Sequence, residues 1–288
     1  MSRMATTTSS APGPPSAVVA ALRCPLCEAE FTPGQDALRC ARGHAFDLAR
    51  QGYVNLLHAK VPADTADTAE MVAARAEFLD AGFYAPLADA LAARSSGRLV
   101  LDAGAGTGYY LARVLRSLPE ATGLALDLSA RAVRRAARAH PRAGGAVWNV
   151  WWPWPVRSGV ADVVLDVFAP RHVDEFHRVL RDDGTLLVVV PGEEHLRELT
   201  ELFGLLAPDE HKLDRLDSAT RGRFALTDRV RVGGPVTLPP DDARRAVLMG
   251  PNAHHLHRDD LGARLAGLST PVTVTTSFTV SAYRKVRP

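Results

Sequence analysis

Apolar residues along the chain form short continuous runs that alternate with segments in which they recur at helical spacing. The continuous runs are residues 99–101, 123–126, 160–167 and 185–190. The helically spaced segments are residues 64–94, 110–118 and 129–142, the last capped by Ser129. Buried strands that alternate with helices predict a doubly wound α/β fold around a parallel sheet.

The last third of the chain departs from this alternation. Residues 224–237 predict a pair of strands, and residues 241–249 and 258–267 predict two helices. Residues 272–283 alternate between apolar and polar side chains, which predicts a long final strand.

A glycine-rich loop follows the first strand-like run. Asp102 ends that run, and Gly104, Gly106 and Gly108 precede the next helix. Glycine allows a sharp turn and a close approach to a ligand, and a helix N-terminus offers unpaired N–H groups. The dinucleotide fingerprint requires glycine or alanine where Tyr109 stands, and no phosphate-binding G-x-x-x-x-G-K-[ST] occurs. Asp127 ends the next run about 20 residues beyond the loop, where doubly wound folds place an acidic residue on ribose hydroxyls.

All three cysteines lie near the beginning of the chain, in the pattern C-x2-C-x12-C-x3-H. The predicted metal ligands are Cys24, Cys27, Cys40 and His44. Four such ligands complete a closed tetrahedral zinc site, which leaves no open position for catalysis. An odd number of cysteines argues against a disulfide framework. A segment this small lacks a core of its own, so metal binding is expected to supply its folding free energy.

Composition and charge limit the classes of function. The chain has 288 residues, 47% hydrophobic and 23% charged, which is ordinary for a soluble enzyme. The formal net charge is only +2, so any affinity for nucleic acid must come from local patches. No apolar run reaches the roughly 18 residues of a membrane helix, and the first 20 residues lack the apolar block of a signal peptide. We expect a disordered leader, no membrane partner and a cytoplasmic location.

Several segments together resemble a known family. They are CPLC at 24–27, CARGH at 40–44, QGYVNLL at 51–57, EMVAAR at 70–75, FLDAG at 78–82 and the D-x-G-x-G-x-G loop. The chain resembles the zinc-containing 23S ribosomal RNA (guanine-N1)-methyltransferases of bacteria, which include self-resistance enzymes of macrolide producers. The resemblance covers nearly the whole chain after residue 20. It implies a disordered leader over 1–20, a zinc-binding module over 21–60 and a class I methyltransferase domain over 61–288.

The resemblance also implies the cofactors, the partners and the site. S-adenosylmethionine and structural zinc are the expected cofactors, and 23S ribosomal RNA is the expected substrate. Similar enzymes form homodimers, and the sequence leaves the oligomeric state of this chain open. The implied cofactor-binding residues are Tyr84, Asp102, Gly104, Gly106, Gly108, Tyr110, Leu111, Asp127, Asn149 and His195. Asn149 stands where many methyltransferases carry an aspartate that binds the adenine amino group, and its amide keeps an acceptor. For His195, the alternative to cofactor binding is a purely structural role.

Methylation of N1 also requires an acceptor for the N1 proton. The candidates are Asp166, His172 and Asp174, all near the end of one strand, and the sequence leaves the choice open. Trp151, Trp152 and Trp154 are predicted either to stack on a base or to pack against the zinc module.

Two sets of arginines and one set of histidines have alternative interpretations. Arg131, Arg134, Arg135 and Arg138 share one helix face, which is either solvated or in contact with RNA phosphates. Arg23, Arg39, Arg42 and Arg50 of the zinc module are assigned to RNA docking. His254, His255 and His257 are interpreted as a solvated turn in preference to a second metal site.

Two other classes of function remain open at this point. A small-molecule methyltransferase with a structural zinc lid would share the glycine-rich loop. A non-catalytic RNA-binding protein would share the zinc module and the arginines.

Overall fold

The computed structural model describes residues 13–34, 36–59, 66–205, 211–250, 253 and 261–286. The helices are α1 (Ser16–Ala21), α2 (Ala69–Asp80), α3 (Ala85–Arg94), α4 (Tyr109–Ser117), α5 (Ala130–Ala139), α6 (Val173–Val179), α7 (Arg197–Phe203), α8 (Lys212–Thr220), α9 (Pro240–Leu248) and α10 (Leu261–Ala266). The strands are β1 (Phe31–Pro33), β2 (Ala37–Cys40), β3 (Ala45–Asp47), β4 (Tyr53–Asn55), β5 (Leu99–Ala103), β6 (Thr122–Asp127), β7 (Ala143–Val147), β8 (Ala161–Val167), β9 (Leu180–Pro191), β10 (Phe224–Leu238) and β11 (Val272–Lys285).

The main sheet has eight strands in the order β10-β11-β9-β8-β5-β6-β7-β4. The strands from β9 to β4 are parallel, and β11 is antiparallel between β9 and β10. The strand order reverses between β5 and β8, so a crevice opens at the carboxyl ends of these two strands. The predicted doubly wound fold is confirmed, and the predicted long final strand is β11, which lies between β9 and β10.

The two faces of the main sheet bury separate hydrophobic clusters, because successive side chains of a strand point to opposite sides. On β5, Val100 lies in one cluster, and Leu99 and Leu101 lie in the other. Helices α3 and α4 cover the first face, whereas α1 and α6 cover the second face.

The N-terminal module is joined to the main sheet. Strands β1 to β3 form a small antiparallel sheet, but β4 pairs in parallel with β7 at the edge of the main sheet. Leu22, Phe31 and Leu38 of the module belong to the same buried cluster as Trp148 and Trp154. The predicted boundary between the zinc-binding module (21–60) and the domain that follows it (61–288) therefore does not separate two hydrophobic cores.

Two predictions about local structure are wrong. The disordered leader does not extend to residue 20, because α1 is ordered and Val18 and Val19 are buried against the second face. Residues 224–237 are not a strand pair but lie in the single strand β10, which pairs with β11 along its length. The pair Gly233 and Gly234 resembles a turn in the sequence, yet both residues have extended partners on β11.

Two further predictions concern membrane-spanning helices and the histidine-containing loop near the end of the chain. Among the described residues, no helix is both long enough and apolar enough to cross a bilayer. The loop with His254, His255 and His257 lies outside the described residues.

Candidate active site and metal centre

The glycine-rich loop joins β5 to α4 at the crevice. Gly104, Gly106 and Gly108 all have positive φ, at 74°, 53° and 78°. A Cβ on Gly104 would lie 2.5 Å from the Cβ of Ala169, and one on Gly108 would lie 2.7 Å from the Cα of Ala136. Both positions therefore require glycine for conformation and for space.

Asp127 fixes the shape of this loop. One of its carboxylate oxygens accepts a hydrogen bond from the N–H of Gly106 at 2.9 Å, and the other accepts from the N–H of Ser129 at 2.8 Å. Each carboxylate oxygen has a second lone pair, so both remain able to accept from ribose hydroxyls. The predicted ribose residue thus also holds the glycine loop in place.

Two carboxyl groups are buried below the crevice. Asp102 and Asp166 are each 1% exposed, and neither Oδ2 of Asp102 nor either oxygen of Asp166 has a hydrogen-bond partner among the described residues. Burial, together with the charge of Asp127, raises the pKa of Asp102 to about 8. Burial also raises the pKa of Asp166 well above its usual range. Orphaned buried carboxyl groups beside a glycine loop fit a ligand that carries positive charge.

Tyr84 and His195 meet across the crevice. The Tyr84 hydroxyl lies 3.1 Å from Nε2 of His195, and the backbone N–H of Ser277 donates to Nδ1 of His195 at 3.3 Å. Burial lowers the pKa of His195 to about 4. The structure brings these two predicted cofactor residues together from the position just before α3 and the segment before α7.

Aromatic side chains form one wall of the crevice. The Phe278 ring lies 4.7 Å from the Tyr84 ring and 4.6 Å from the His195 ring, centroid to centroid. The Phe168 ring is 5.6 Å from Phe278 and 6.4 Å from Tyr110. Phe168 is 45% exposed and has a left-handed backbone, so the chain presents an apolar ring at the crevice at some conformational cost. Sequence reasoning gave Phe278 no role, because alternation along β11 predicts burial and no more.

Arg75 is a second residue that sequence reasoning missed. Its guanidinium pairs with Asp67, and its Nη2 donates to the carbonyl of Met249 at 2.7 Å. A Cβ built on Gly106 would lie 3.4 Å from its Nη1, so the cation lies against the glycine loop. EMVAAR at 70–75 contributed to the family resemblance, but helical periodicity alone does not show that Arg75 faces the loop.

Two other predicted cofactor residues occupy different environments. Leu111 is fully buried in the cluster beneath the first face, so its side chain is not available to a ligand. Asn149 accepts the N–H of Trp151 at its Oδ1 at 3.0 Å, which fixes the loop after β7 and leaves one lone pair free.

The three candidate proton acceptors differ in environment. Asp166 is buried, and its raised pKa favours the protonated form. Asp174 is exposed and paired with Arg223 at 2.8 Å. His172 is partly exposed at the start of α6 and is in no ion pair among the described residues.

The tryptophans also differ. Trp154 is fully buried, donates its Nε1–H to the carbonyl of Val150 at 2.9 Å and packs on Phe176. It shares a buried cluster with Leu22 and Leu38 of the N-terminal module, so of its two predicted roles the structure supports packing and not stacking on a base. Trp152 packs against His58 and Trp148. Trp151 is 63% exposed and is the tryptophan of this group that is available to a partner.

The four predicted metal ligands converge at one point. Their ligand atoms lie within 4.8 Å of one another, with Nδ1 of His44 3.4 Å from Sγ of Cys24 and 3.5 Å from Sγ of Cys40. Sulfur and nitrogen atoms around a tetrahedral zinc ion are separated by about 3.5–3.8 Å. The donor set and its spacing therefore fit zinc.

Most of the predicted basic residues are exposed. Seven of them are exposed and in no ion pair within the described part of the chain: Arg131, Arg134, Arg135 and Arg138 on α5, and Arg39, Arg42 and Arg50 on the N-terminal zinc module, called the ribbon below. Arg23 differs, because it pairs with Glu28 at 3.1 Å and its Nε donates to the carbonyl of Trp154 at 3.4 Å. We therefore assign Arg23 to the packing of the ribbon and not to RNA docking.

Family comparisons match both parts of the chain. The zinc-ribbon family described as RlmA, N-terminal matches residues 22–61, and the family described as Methyltransferase domain matches residues 101–188. The 23S rRNA (guanine(748)-N(1))-methyltransferase of Streptomyces fradiae is 47% identical over 272 residues, covering 91% of this chain and 97% of that protein. A relative from Micromonospora griseorubida, provisionally named for 23S rRNA guanine-N(1) methylation, is 48% identical over 290 residues, covering 92% of this chain and 97% of that protein.

A solved structure supports the fold. One chain of the Haloferax volcanii complex between the Trm112 methyltransferase activator and a methyltransferase has a TM-score of 0.50 and 18% identity, covering 75% of this chain and 95% of that chain.

Proposed function

The chain belongs to the family of 23S rRNA (guanine-N1)-methyltransferases, and on that premise we propose that it methylates N1 of a guanine in a hairpin loop of 23S ribosomal RNA. The observation that carries the proposal is the presence, in one chain with a shared core, of a Cys3His ribbon and a glycine-loop crevice with orphaned carboxyl groups. The ribbon matches an RlmA family, and the crevice lies within the methyltransferase match.

S-adenosylmethionine supplies an already activated methyl group, bound to a sulfonium. In the reaction the N1–methyl bond forms as the sulfur–methyl bond breaks, and the electron pair stays on sulfur. The protein must hold N1 in line with the methyl group, within about 3–3.5 Å, and must accept the N1 proton. We assign the proton acceptor to His172, because Asp166 is buried and Asp174 is paired with Arg223.

We assign the groups of the methyl donor to residues around the crevice. Its ammonium group belongs near the orphaned oxygen of Asp102 and its ribose near Asp127. Its carboxylate belongs near Arg75, the cation that lies against Gly106. Asn149 remains the candidate for the adenine amino group.

The RNA-binding surface that we propose combines the exposed arginines of α5 and the ribbon. The segment that leaves the ribbon packs against the loop after β7, with the His58 ring 5.5 Å from both Trp148 and Trp152. This contact links the ribbon to the carboxyl edge of the sheet, where the crevice lies. We propose that the protein acts in the cytoplasm as a homodimer and protects the ribosome from macrolides, following the family resemblance.

The proposal is tested by incubating the purified, full-length protein with methyl-labelled S-adenosylmethionine and unmodified 23S rRNA. We expect label in the RNA and a new primer-extension stop at one guanine, because a methyl group on N1 blocks base pairing. Label that appears only on a small molecule or a protein would overturn the proposal. Deleting residues 1–60 does not separate the alternatives, since it uncovers Trp148 and Trp154 in the shared core.

A further inference from the structure

An open cleft of about 510 Å³ lies beside the crevice, between the loop after β7, the start of α6 and the end of α8. The side chains that matter for its chemistry are Trp151, Arg171, His172, Asp174, Arg221 and Arg223. No group in the cofactor assignments above lines this cleft. Its occupant is therefore a separate question.

The cleft and the crevice share one loop, residues 168–172. At one end of this loop Phe168 belongs to the aromatic wall, and Ala169 contacts the glycine loop at Gly104. At the other end Arg171 and His172 line the cleft. A chain that occupies the cleft would thus lie next to a group that is held at the crevice.

The charges of the cleft favour an anion. Asp174 neutralises Arg223, at 2.8 Å. Arg221 is exposed and in no ion pair among the described residues. Nε of Arg171 is buried without a hydrogen-bond partner in the part of the chain that the structure describes. The Arg221 guanidinium is therefore available to phosphate oxygens, which a guanidinium binds with well-matched geometry, and Arg171 adds a second positive charge to the lining of the cleft.

The cleft also offers a flat apolar surface. Trp151 is 63% exposed, although a tryptophan side chain gains much free energy from burial. Its backbone is held by Asn149, which accepts the Trp151 N–H, so the ring is displayed from a fixed loop. A fixed, exposed aromatic ring is a stacking platform for an unpaired base, and such stacking tolerates any base.

Resting on the proposed function, we propose that this cleft binds a nucleotide of the RNA strand that flanks the reacting guanine. The base of that nucleotide stacks on Trp151, and its phosphate contacts Arg171 and Arg221. The site fixes the strand beside the crevice and thereby selects which guanine reaches the methyl donor. Trp151, Arg171 and Arg221 are positioning residues in this scheme.

The test uses the full-length protein and an in vitro transcript of 23S rRNA in a methylation assay with saturating S-adenosylmethionine. The variants are Trp151→Ala, Trp151→Phe and Arg221→Gln. The matched control is Arg113→Gln, which removes a cation of α4 that pairs with Asp89 of α3. RNA affinity is measured separately by filter binding at several salt concentrations, and S-adenosylmethionine affinity by calorimetry.

We expect Trp151→Ala to raise the KM for RNA about tenfold or more, as loss of one stacked base does, and Trp151→Phe to restore most of it. Arg221→Gln should reduce the slope of log affinity against log salt by about 0.7–0.9, the effect of one lost phosphate contact. Both should leave S-adenosylmethionine affinity unchanged, and Arg113→Gln should match the wild type.

Wild-type KM and salt slope in Trp151→Ala and Arg221→Gln, with methylation intact, would overturn the cleft proposal and leave the function standing. Losses of RNA affinity in Trp151→Ala and Arg221→Gln that are matched by equal losses of S-adenosylmethionine affinity would also overturn it, since these side chains would then support the site as a whole and not the RNA strand in particular. RNA that binds the wild type in a Trp151-dependent way but is never methylated would instead contradict the proposed function.

Discussion

His195 donates its Nε2–H to the hydroxyl oxygen of Tyr84, 3.1 Å away, although 111 residues separate them in the chain. The direction follows from the other ring nitrogen. A backbone N–H only donates, so Nδ1 of His195 must accept from Ser277, and the neutral ring then carries its hydrogen on Nε2. The Tyr84 hydrogen remains free to donate to a ligand in the crevice.

This arrangement predicts a pH dependence of stability. The pKa of His195 is lowered to about 4 by burial, whereas an unfolded histidine titrates near 6.5. The unfolded chain therefore takes up a proton that the folded chain does not, and stability falls as the pH drops from 6.5 towards 4, by at most about 1.4 kcal/mol per pH unit. Urea unfolding should show a smaller fall between pH 7 and 5 in His195→Gln than in the wild type. If stability falls equally in both proteins between pH 7 and 5, the prediction is contradicted. The range from pH 7 to 8, where this histidine is largely neutral in both states, serves as the internal control.

Asp102 predicts proton release when the methyl donor binds. Its pKa of about 8, raised by burial and by Asp127, keeps most of the carboxyl group protonated at pH 7. An ammonium group at this carboxyl favours the charged form, so binding should release a proton and affinity should rise from pH 6 to 8. Calorimetry in buffers of different ionisation enthalpy should detect the proton with the wild type but not with Asp102→Asn. Methylthioadenosine, which lacks the amino acid part, is the matched ligand, and buffer-independent heats for S-adenosylmethionine would refute the assignment.

The position of Arg75 against the glycine loop predicts that the protein distinguishes methyl donors with and without a carboxylate group. The wild type should bind decarboxylated S-adenosylmethionine roughly 10- to 100-fold more weakly than S-adenosylmethionine, the value of a charge-assisted hydrogen bond. Arg75→Gln should bind both equally, and comparing ligands on one protein cancels any loss of its ties to Asp67 and Met249. Arg245→Gln removes the neighbouring contact between α9 and Glu77 of α2 and should keep the preference. If Arg75→Gln also keeps the preference for S-adenosylmethionine, the carboxylate of the methyl donor is bound elsewhere.

Loss of zinc should weaken more than the ribbon. Cys40→Ser or a chelator removes the ion that supplies the ribbon's folding free energy, on the order of 10 kcal/mol in comparable modules. Because the ribbon shares a core with Trp148 and Trp154, tryptophan fluorescence should shift to the red and the thermal midpoint should fall. Added zinc should restore the chelated wild type but not Cys40→Ser. Unchanged fluorescence after stoichiometric zinc removal would show that the shared core is stable without the ion.

The sequence determined the parts of this protein that depend on local spacing. Three features each follow from a few neighbouring residues: two cysteines with two residues between them, glycines where the backbone has positive φ, and a strand that ends in Asp127. The alternation of buried strands with helices likewise predicted the doubly wound sheet, and that order by itself locates the crevice.

Only the tertiary structure decided which side chains meet. Trp151 and Trp154 are three residues apart in a proline-containing loop, yet Trp151 is exposed and Trp154 is buried against Phe176 of α6. β10 stays one strand despite its glycine pair because β11 pairs with it along its length. Arg75 reaches Gly106 only because α2 packs beside the loop. Contacts between distant segments depend on how whole elements pack, and local hydrophobic periodicity carries no information about that packing.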